Sequence, residues 1–350
     1  MSPSSDTAAI PVSQIPFRRR LRESLVAYAY LGPATLILAT FWLWPAIFAF
    51  YISLNERDIA GNMEWMGFAN YTWVLSSEKF LKSLMNTVNF VIYTVPTSIA
   101  LSLFVAVLLN QRIRALNFFR TVYFLPYITS AVAVSVVWLY VFNQNSGLAN
   151  SIIGWFGFDG LNWLNEPRGI WEMLIGAVIG DEHFRIGADV YADESPLLFM
   201  LISIVRGPSL ALTAIIIMTV WRSIGYAMVI FLAGLQGIDK TYYEAADIDG
   251  ANAWQKFWNI TWPLVSPYTF FLAIITTIFA FKEFIGVFIM TPTGGIEYDT
   301  GTVVFYLYDL AFLGRFDFGR AAAVGFILFL ILTVISLIQK MTLGRKVHYD

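Results

Sequence analysis

Long apolar runs alternate with polar segments six times along this chain. The runs cover roughly residues 25–54, 84–110, 119–142, 209–236, 265–290 and 320–341. Each approaches or exceeds the ~20 residues that a helix needs to cross a bilayer. The pattern predicts an all-α fold: a polytopic membrane helical bundle of six transmembrane helices. The first run carries Gly32, Pro33 and Pro45, which membrane helices tolerate because neighbours re-satisfy the backbone. The polar stretch 143–208 is long and holds two shorter apolar segments, 169–180 and 196–205. Neither is long enough to span. They are expected as interfacial or surface-packed helices with the acidic residues 181–194 exposed between them; a re-entrant pair is the alternative.

Composition agrees with a membrane solvent. The chain is 58% hydrophobic and 13% charged, against about 45–50% and about 25% in an average soluble protein. It has no cysteine, and its histidines are His183 and His348, so thiol chemistry is excluded and a zinc-type metal site is not expected. Charge gives orientation. With the N-terminus inside, the cytosolic pieces net +5 and the outer loops −8, as the preference of basic residues for the cytosol requires. Arg18, Arg19, Arg20 and Arg22 precede the first run, which is too long for a signal peptide and lacks a clean cleavage site. The expected organisation is a cytosolic tail 1–24, a membrane domain 25–343 and a cytosolic tail 344–350. Trp42, Trp44, Trp138 and Trp221 fall towards run ends or on interior faces, and most aromatics read as an interfacial belt.

Charges away from the ends of the runs are few, costly and often functional: Arg222, Lys282 and Glu283. Ser223 and Tyr226 neighbour the first; Phe281 precedes the others. These are candidates for a solute path, with Asn86, Asn89 and Thr94 as weaker ones. Aromatic faces such as Tyr226 and Phe281 can stack on the C–H face of a sugar, or simply pack. The bland alternatives are that Lys282 and Glu283 snorkel or pair structurally, and that Arg222 bonds another span. Lys282 and its neighbour Glu283 point about 100° apart on a helix, so Lys282 is expected to face a water-filled cavity. There it can pair with an anionic group on the solute or donate hydrogen bonds to several hydroxyls; with the resemblance given below, this favours a carbohydrate or glycoside bearing a negative group. No paired acids, histidine or cysteine in a run offers a catalytic constellation, and nothing points to nucleic acid. An ion-coupled secondary transporter needs internal repeats and coupling carboxylates; no strong repeat is found, and Glu283 is the lone acid in a run.

The segment 237–264 is polar and well punctuated. Thr241 and Glu244 have capping-box spacing, so a helix can start near Asp239–Thr241. Ala245 and Ala246 give a small face, and Asp249-Gly250 is a turn signal. Ala253, Trp254, Phe257 and Trp258 follow at helical spacing, and Pro263 and Pro267 punctuate the entry to the fifth run. This predicts a helix–turn–helix at the membrane surface: an interfacial amphipathic loop, or a shaped knob offered to a partner.

Glu244-Ala245-Ala246, then Gly250, Ile260 and Pro263, resemble the EAA motif of ATP-binding-cassette importer permeases in spacing and place. Trp262 stands where that family usually has Leu. "YYEAADIDGANAWQKFWNITWPLVSP" is similar to the maltose-type, carbohydrate-uptake branch, as are "FFRTVYFLPYITS", "FLAGLQGIDKTYYEAA" and "FGRAAAVGFILF". The resemblance covers roughly residues 27–343. It departs in 166–207, longer than usual, and at Lys282 in "FAFKEF", where the family carries an uncharged polar residue. It implies a type I importer permease fold in a bacterial inner membrane, multi-pass, with both termini cytosolic. It also implies a coupling loop through Glu244, Ala245, Ala246, Asp249, Gly250, Ile260 and Pro263. Implied partners are a second similar permease, two ATPase subunits that use ATP and Mg, and an extracytoplasmic binding protein delivering a sugar, glycoside or sugar derivative. This chain lacks a phosphate-binding Gly-Lys-Ser/Thr loop, so it is expected to bind no cofactor itself and to be a transport subunit without enzymatic activity.

Overall fold

The computed structural model describes residues 17–57, 63–111, 114–181, 183–186, 195–313 and 316–342. The acidic stretch 181–194 falls largely outside them, as does the tail expected at 344–350. The chain divides into two compact units, Met1–Ile52 and Ser53–Asp350.

The first unit is helical from α1 (Phe17–Leu38) through a π-turn (Ala39–Leu43) into α2 (Trp44–Ser53). The helix starts inside the expected tail 1–24 because Arg, Leu and Glu are good helix formers and no proline or glycine falls between Phe17 and Leu25. Pro45 explains the π-turn. A proline ring crowds the carbonyl four residues back and cannot donate. The strain is absorbed one residue earlier, where Trp44 N–H reaches Ala39 O instead.

The second unit opens with a short antiparallel ribbon, β1 (Asn55–Arg57) on β2 (Met63–Trp65). Then come α3 (Ala69–Ser76), α4 (Glu78–Leu109), α5 (Leu116–Ile128), α6 (Ala131–Val141), α7 (Leu148–Trp155), α8 (Ile170–Ile179) and α9 (Pro196–Arg206). The chain continues with α10 (Leu210–Gln236), α11 (Lys240–Ile248), α12 (Ala253–Lys256), α13 (Trp262–Leu264), α14 (Ser266–Phe281), α15 (Ile285–Met290), α16 (Val303–Phe312) and α17 (Phe318–Thr342). Among the described residues, five helical stretches are long and apolar enough to span, and a sixth if the bent pair α5–α6 is one span.

That pair corrects the expected run 119–142. The two helices meet at 98°, because Thr129 and Ser130 are extended (ψ 145° and 130°) and Thr129 spends its hydroxyl on Leu125 O. Close approach fixes the rest. A Cβ on Gly225 of α10 would strike the Tyr123 carbonyl of α5, so a glycine lets the two backbones touch. Polar bonds pin the segment before α16 onto α4. Asn86 donates to Tyr298 O and Gly301 O, at 2.8 and 3.1 Å, and Thr87 accepts from Val303 N. The packed core lies along α4, α10, α14 and α16, around Phe90, Ile215, Phe231, Leu272 and Tyr306.

Both apolar segments of 143–208 are helices, α8 and α9. Their excursion is closed at its neck: Ile170 N–H reaches Pro208 O and Leu210 N–H reaches Arg168 O, at 2.9 and 3.1 Å. Inside it, Glu172 is fully buried. Its carboxylate accepts from Gly169 N, Ile186 N and Arg206, all within 3.3 Å.

Candidate functional site

A cavity of about 440 Å³ opens between α4, α5, α6, α10, α14 and α15. On α10, Met218, Thr219, Arg222, Ser223 and Tyr226 line it, one helical face by spacing. On α14, Thr276, Phe279 and Ala280 do the same, and Glu283 continues that face. Lys282 also reaches the wall because α14 ends at Phe281 and α15 starts only at Ile285. The expected continuous run 265–290 is therefore interrupted among its own charges. Glu283 holds the break: its carboxylate accepts from Gly286 N at 2.8 Å, and its carbonyl accepts from the Thr302 hydroxyl at 2.7 Å.

Of the path candidates, Arg222, Tyr226, Lys282 and Glu283 share this cavity. Tyr226 stacks on Tyr127, ring centroids 5.0 Å apart. Phe281 does not line it: at 2% exposure it sits in the core, two positions off the α14 face, and Phe279 takes the wall position. The Lys282 ammonium lies 5.5 Å from the Phe279 ring centroid. Asn86 and Asn89 are fasteners, the latter donating to Ser203 O. Thr94, one of the weaker candidates, does face the cavity, and Thr219, which the sequence reading did not single out, joins it. Most helix threonines here bond their own backbone four residues back, as Thr213, Thr276 and Thr277 do. Thr94 and Thr219 keep buried hydroxyls with no protein partner among the described residues.

A second cavity, about 500 Å³, lies between α4, α9 and the 297–299 turn. Glu78, Lys82, Arg185, Arg206, Glu297 and Asp299 contribute charge to it. Burial pushes the Asp299 carboxyl up to about 7 against the pull of the Ser209 hydroxyl, and Glu297 and Glu166 add to the rise. Burial also raises the Tyr298 phenol. Glu166 moves the other way, its carboxylate held low by the Arg168 guanidinium.

The 237–264 segment is built by local geometry. Asp239, not Thr241, caps α11: its carboxylate accepts from Thr241 N at 2.9 Å, which also holds its pKa low. The helix thus starts within the 239–241 window expected from the sequence, with Asp239 as its cap because an aspartate accepts this bond readily. At the other end Ala251 N–H reaches Ala246 O and Gly250 N–H reaches Asp247 O, at 2.8 and 3.1 Å. This is a Schellman ending with Gly250 at the left-handed position, φ +76°. Asn252 and Gln255 box the start of α12, and Lys256 pairs with Asp247 at 2.7 Å. Glu244, Ala245, Asp249 and Gly250 are exposed; Ala246, Ile260 and Pro263 are half-buried. A second π-turn (Phe257–Thr261) precedes Pro263, as one precedes Pro45, and leads through α13 into α14.

Residues 195–347 match the family model for the binding-protein-dependent transport system inner membrane component. The sn-glycerol-3-phosphate transport system permease protein UgpA of Agrobacterium fabrum is 29% identical over 329 residues, 93% of this chain and 97% of that one. The probable ABC transporter permease protein YesP of Bacillus subtilis is 29% identical over 333 residues, 94% of each chain. Among solved structures, a chain of the bacterial alginate ABC transporter in complex with alginate pentasaccharide-bound periplasmic protein shares the fold. Its TM-score is 0.70 at 20% identity, covering 94% of this chain and 97% of that one.

Proposed function

We infer that this chain, a permease of the binding-protein-dependent transport family, works as the membrane subunit of an ATP-driven importer for a sugar, glycoside or sugar derivative. It forms the translocation path with a second, similar permease in a bacterial inner membrane, with both termini and the 237–264 segment cytosolic. Two ATPase subunits hydrolyse ATP with Mg, and an extracytoplasmic binding protein delivers solute to the side that carries 143–208. The solutes in the names of its relatives, sn-glycerol-3-phosphate and alginate, support a polyhydroxylated class.

The observation that carries the reading is the continuity between the knob and the cavity. The exposed turn at Gly250 leads through α12, the π-turn and α13 directly into α14. At 1.5 Å per residue, α14 is a rod of about 24 Å, and its far end is the break at Lys282–Phe284 in the cavity wall. Ala245 and Ala246 permit close docking in an ATPase cleft, and Glu244 offers a charge to a basic partner. When ATP binding closes the ATPases, the knob moves and α14 carries that motion to the wall. In the cavity, the Thr94 and Thr219 hydroxyls bond solute hydroxyls, and Tyr226 and Phe279 present aromatic faces.

The test is purification of the tagged chain from its native membrane. A second permease and two ATPases should accompany it, with hydrolysis stimulated by the binding protein. Ion-driven uptake by the chain alone in vesicles would establish the secondary-transporter alternative instead.

A further inference from the structure

Resting on the importer reading, we propose that the cavity is specific for an anionic carbohydrate, held by Arg222 and Lys282 at its acidic group. Three charged side chains line the wall, two basic and one acidic. The Glu283 carboxylate accepts from Gly286 N at the start of α15 and supplies the one negative charge among the lining residues. Among the described residues, neither Arg222 nor Lys282 has a carboxylate within ion-pair distance, 4.0 Å. Lys282 has only an aromatic face, the Phe279 ring. Arg168, Arg206 and Arg320, by contrast, each pair with a carboxylate: Glu166, Glu172 and Asp317. Glu283 compensates one of these charges, and the excess positive charge left on the wall is unfavourable at membrane depth unless something anionic visits. A neutral sugar would leave that excess charge uncompensated; a carboxylate or phosphate balances it and accepts charge-assisted hydrogen bonds from both cations. Thr94 and Thr219, with free buried hydroxyls on the same cavity, suit the rest of a polyhydroxylated solute.

The experiment uses the complete complex, with its partner permease, ATPases and binding protein, in proteoliposomes. Uptake is measured for matched pairs: a uronate oligosaccharide and its carboxyl-reduced form, and a sugar phosphate and its dephosphorylated form. The two pairs separate a carboxylate from a phosphate preference. Wild type, Lys282→Met, Arg222→Met and Lys282→Arg are compared with one binding protein, so that protein's own preference divides out. Uptake of the charged member should fall about tenfold or more in each Met variant, the scale of one lost charge-assisted hydrogen bond. Lys282→Arg should keep a large part, and the neutral member should be unaffected or improved. Co-purification of the ATPases shows that each variant assembles. A wild-type complex that takes the neutral member as fast as the charged one overturns the proposal, as do variants that lose both members alike. Absence of ATP-dependent uptake of any solute by the wild-type complex would instead overturn the importer reading.

Discussion

The two polar regions flanking α10 are held in different ways. The 237–264 segment owes its shape to neighbours in sequence: Asp239 to Thr241, Asn252 to Gln255, Gly250 turning between Asp247 and Ala251. Most of it is exposed. The 143–209 excursion owes its shape to distant partners. Glu172 and Arg206 are 34 residues apart, Asn150 binds Leu161 and Trp163, and Asn89 reaches Ser203 from α4. The first region is a rigid local shape offered outward; the second is a folded cap whose bonds are turned inward. A surface that must dock repeatedly into a moving partner is better served by the first construction, since it exposes its shape without depending on burial.

The largest effect is expected in the inward-bonded region. Glu172→Ala leaves the Arg206 guanidinium and two backbone N–H groups unmatched, at a cost of about 3 kcal/mol, the scale of a broken buried ion pair. Limited proteolysis should then cut the 170–206 excursion, while the 237–264 segment keeps its protection. An unchanged cleavage pattern would deny that this carboxylate organises the cap.

Next comes the turn. Gly250→Val forces a β-branched side chain into φ +76°, at about 1 kcal/mol or more, with no steric clash to blame because a Cβ there meets nothing within 4 Å. Transport and solute-stimulated hydrolysis should fall while the subunit still inserts. Gly250→Asn, which tolerates this conformation, should retain most activity. Equal behaviour of the two variants would mean that backbone conformation is not what Gly250 supplies.

The smallest effect concerns pH. Asp299 in the native state keeps its proton to about 7, whereas an unperturbed aspartate releases it near 3.8. The native state thus binds more protons across that window, and stability falls as pH rises through it. Asp299→Asn should remove this slope and raise Tm at pH 8 by on the order of 2 °C, with little change at pH 4. Parallel Tm curves for the two proteins would contradict it.

What was legible in the sequence follows the same division. The helix–turn–helix could be read from Ala245-Ala246, Asp249-Gly250 and Pro263, because its causes lie within a few residues; its start falls at Asp239, inside the expected 239–241. The cavity was half legible. Arg222, Lys282 and Glu283 stand out as charges in apolar runs, and the α14 face 276–279–280–283 marks Phe279 over Phe281 once spacing is counted. The bend at Thr129–Ser130 and the break at Lys282–Phe284 were hidden, because hydropathy sums over both sides of an interruption. The pairing of Glu172 with Arg206 was hidden too, since no local pattern joins residues so far apart.

The central claim is that the 237–264 knob seats in an ATPase subunit. The sequence has no cysteine, so Ala245→Cys in the exposed face of α11 introduces a unique thiol. The complex would be reacted with a short bifunctional crosslinker, with and without ATP, and Ser146→Cys in the other polar region would serve as the control. Joining of Ala245→Cys to an ATPase subunit, in a yield that changes with nucleotide, is the predicted result. No ATPase adduct from Ala245→Cys in an active complex, or an equal one from Ser146→Cys, would contradict it.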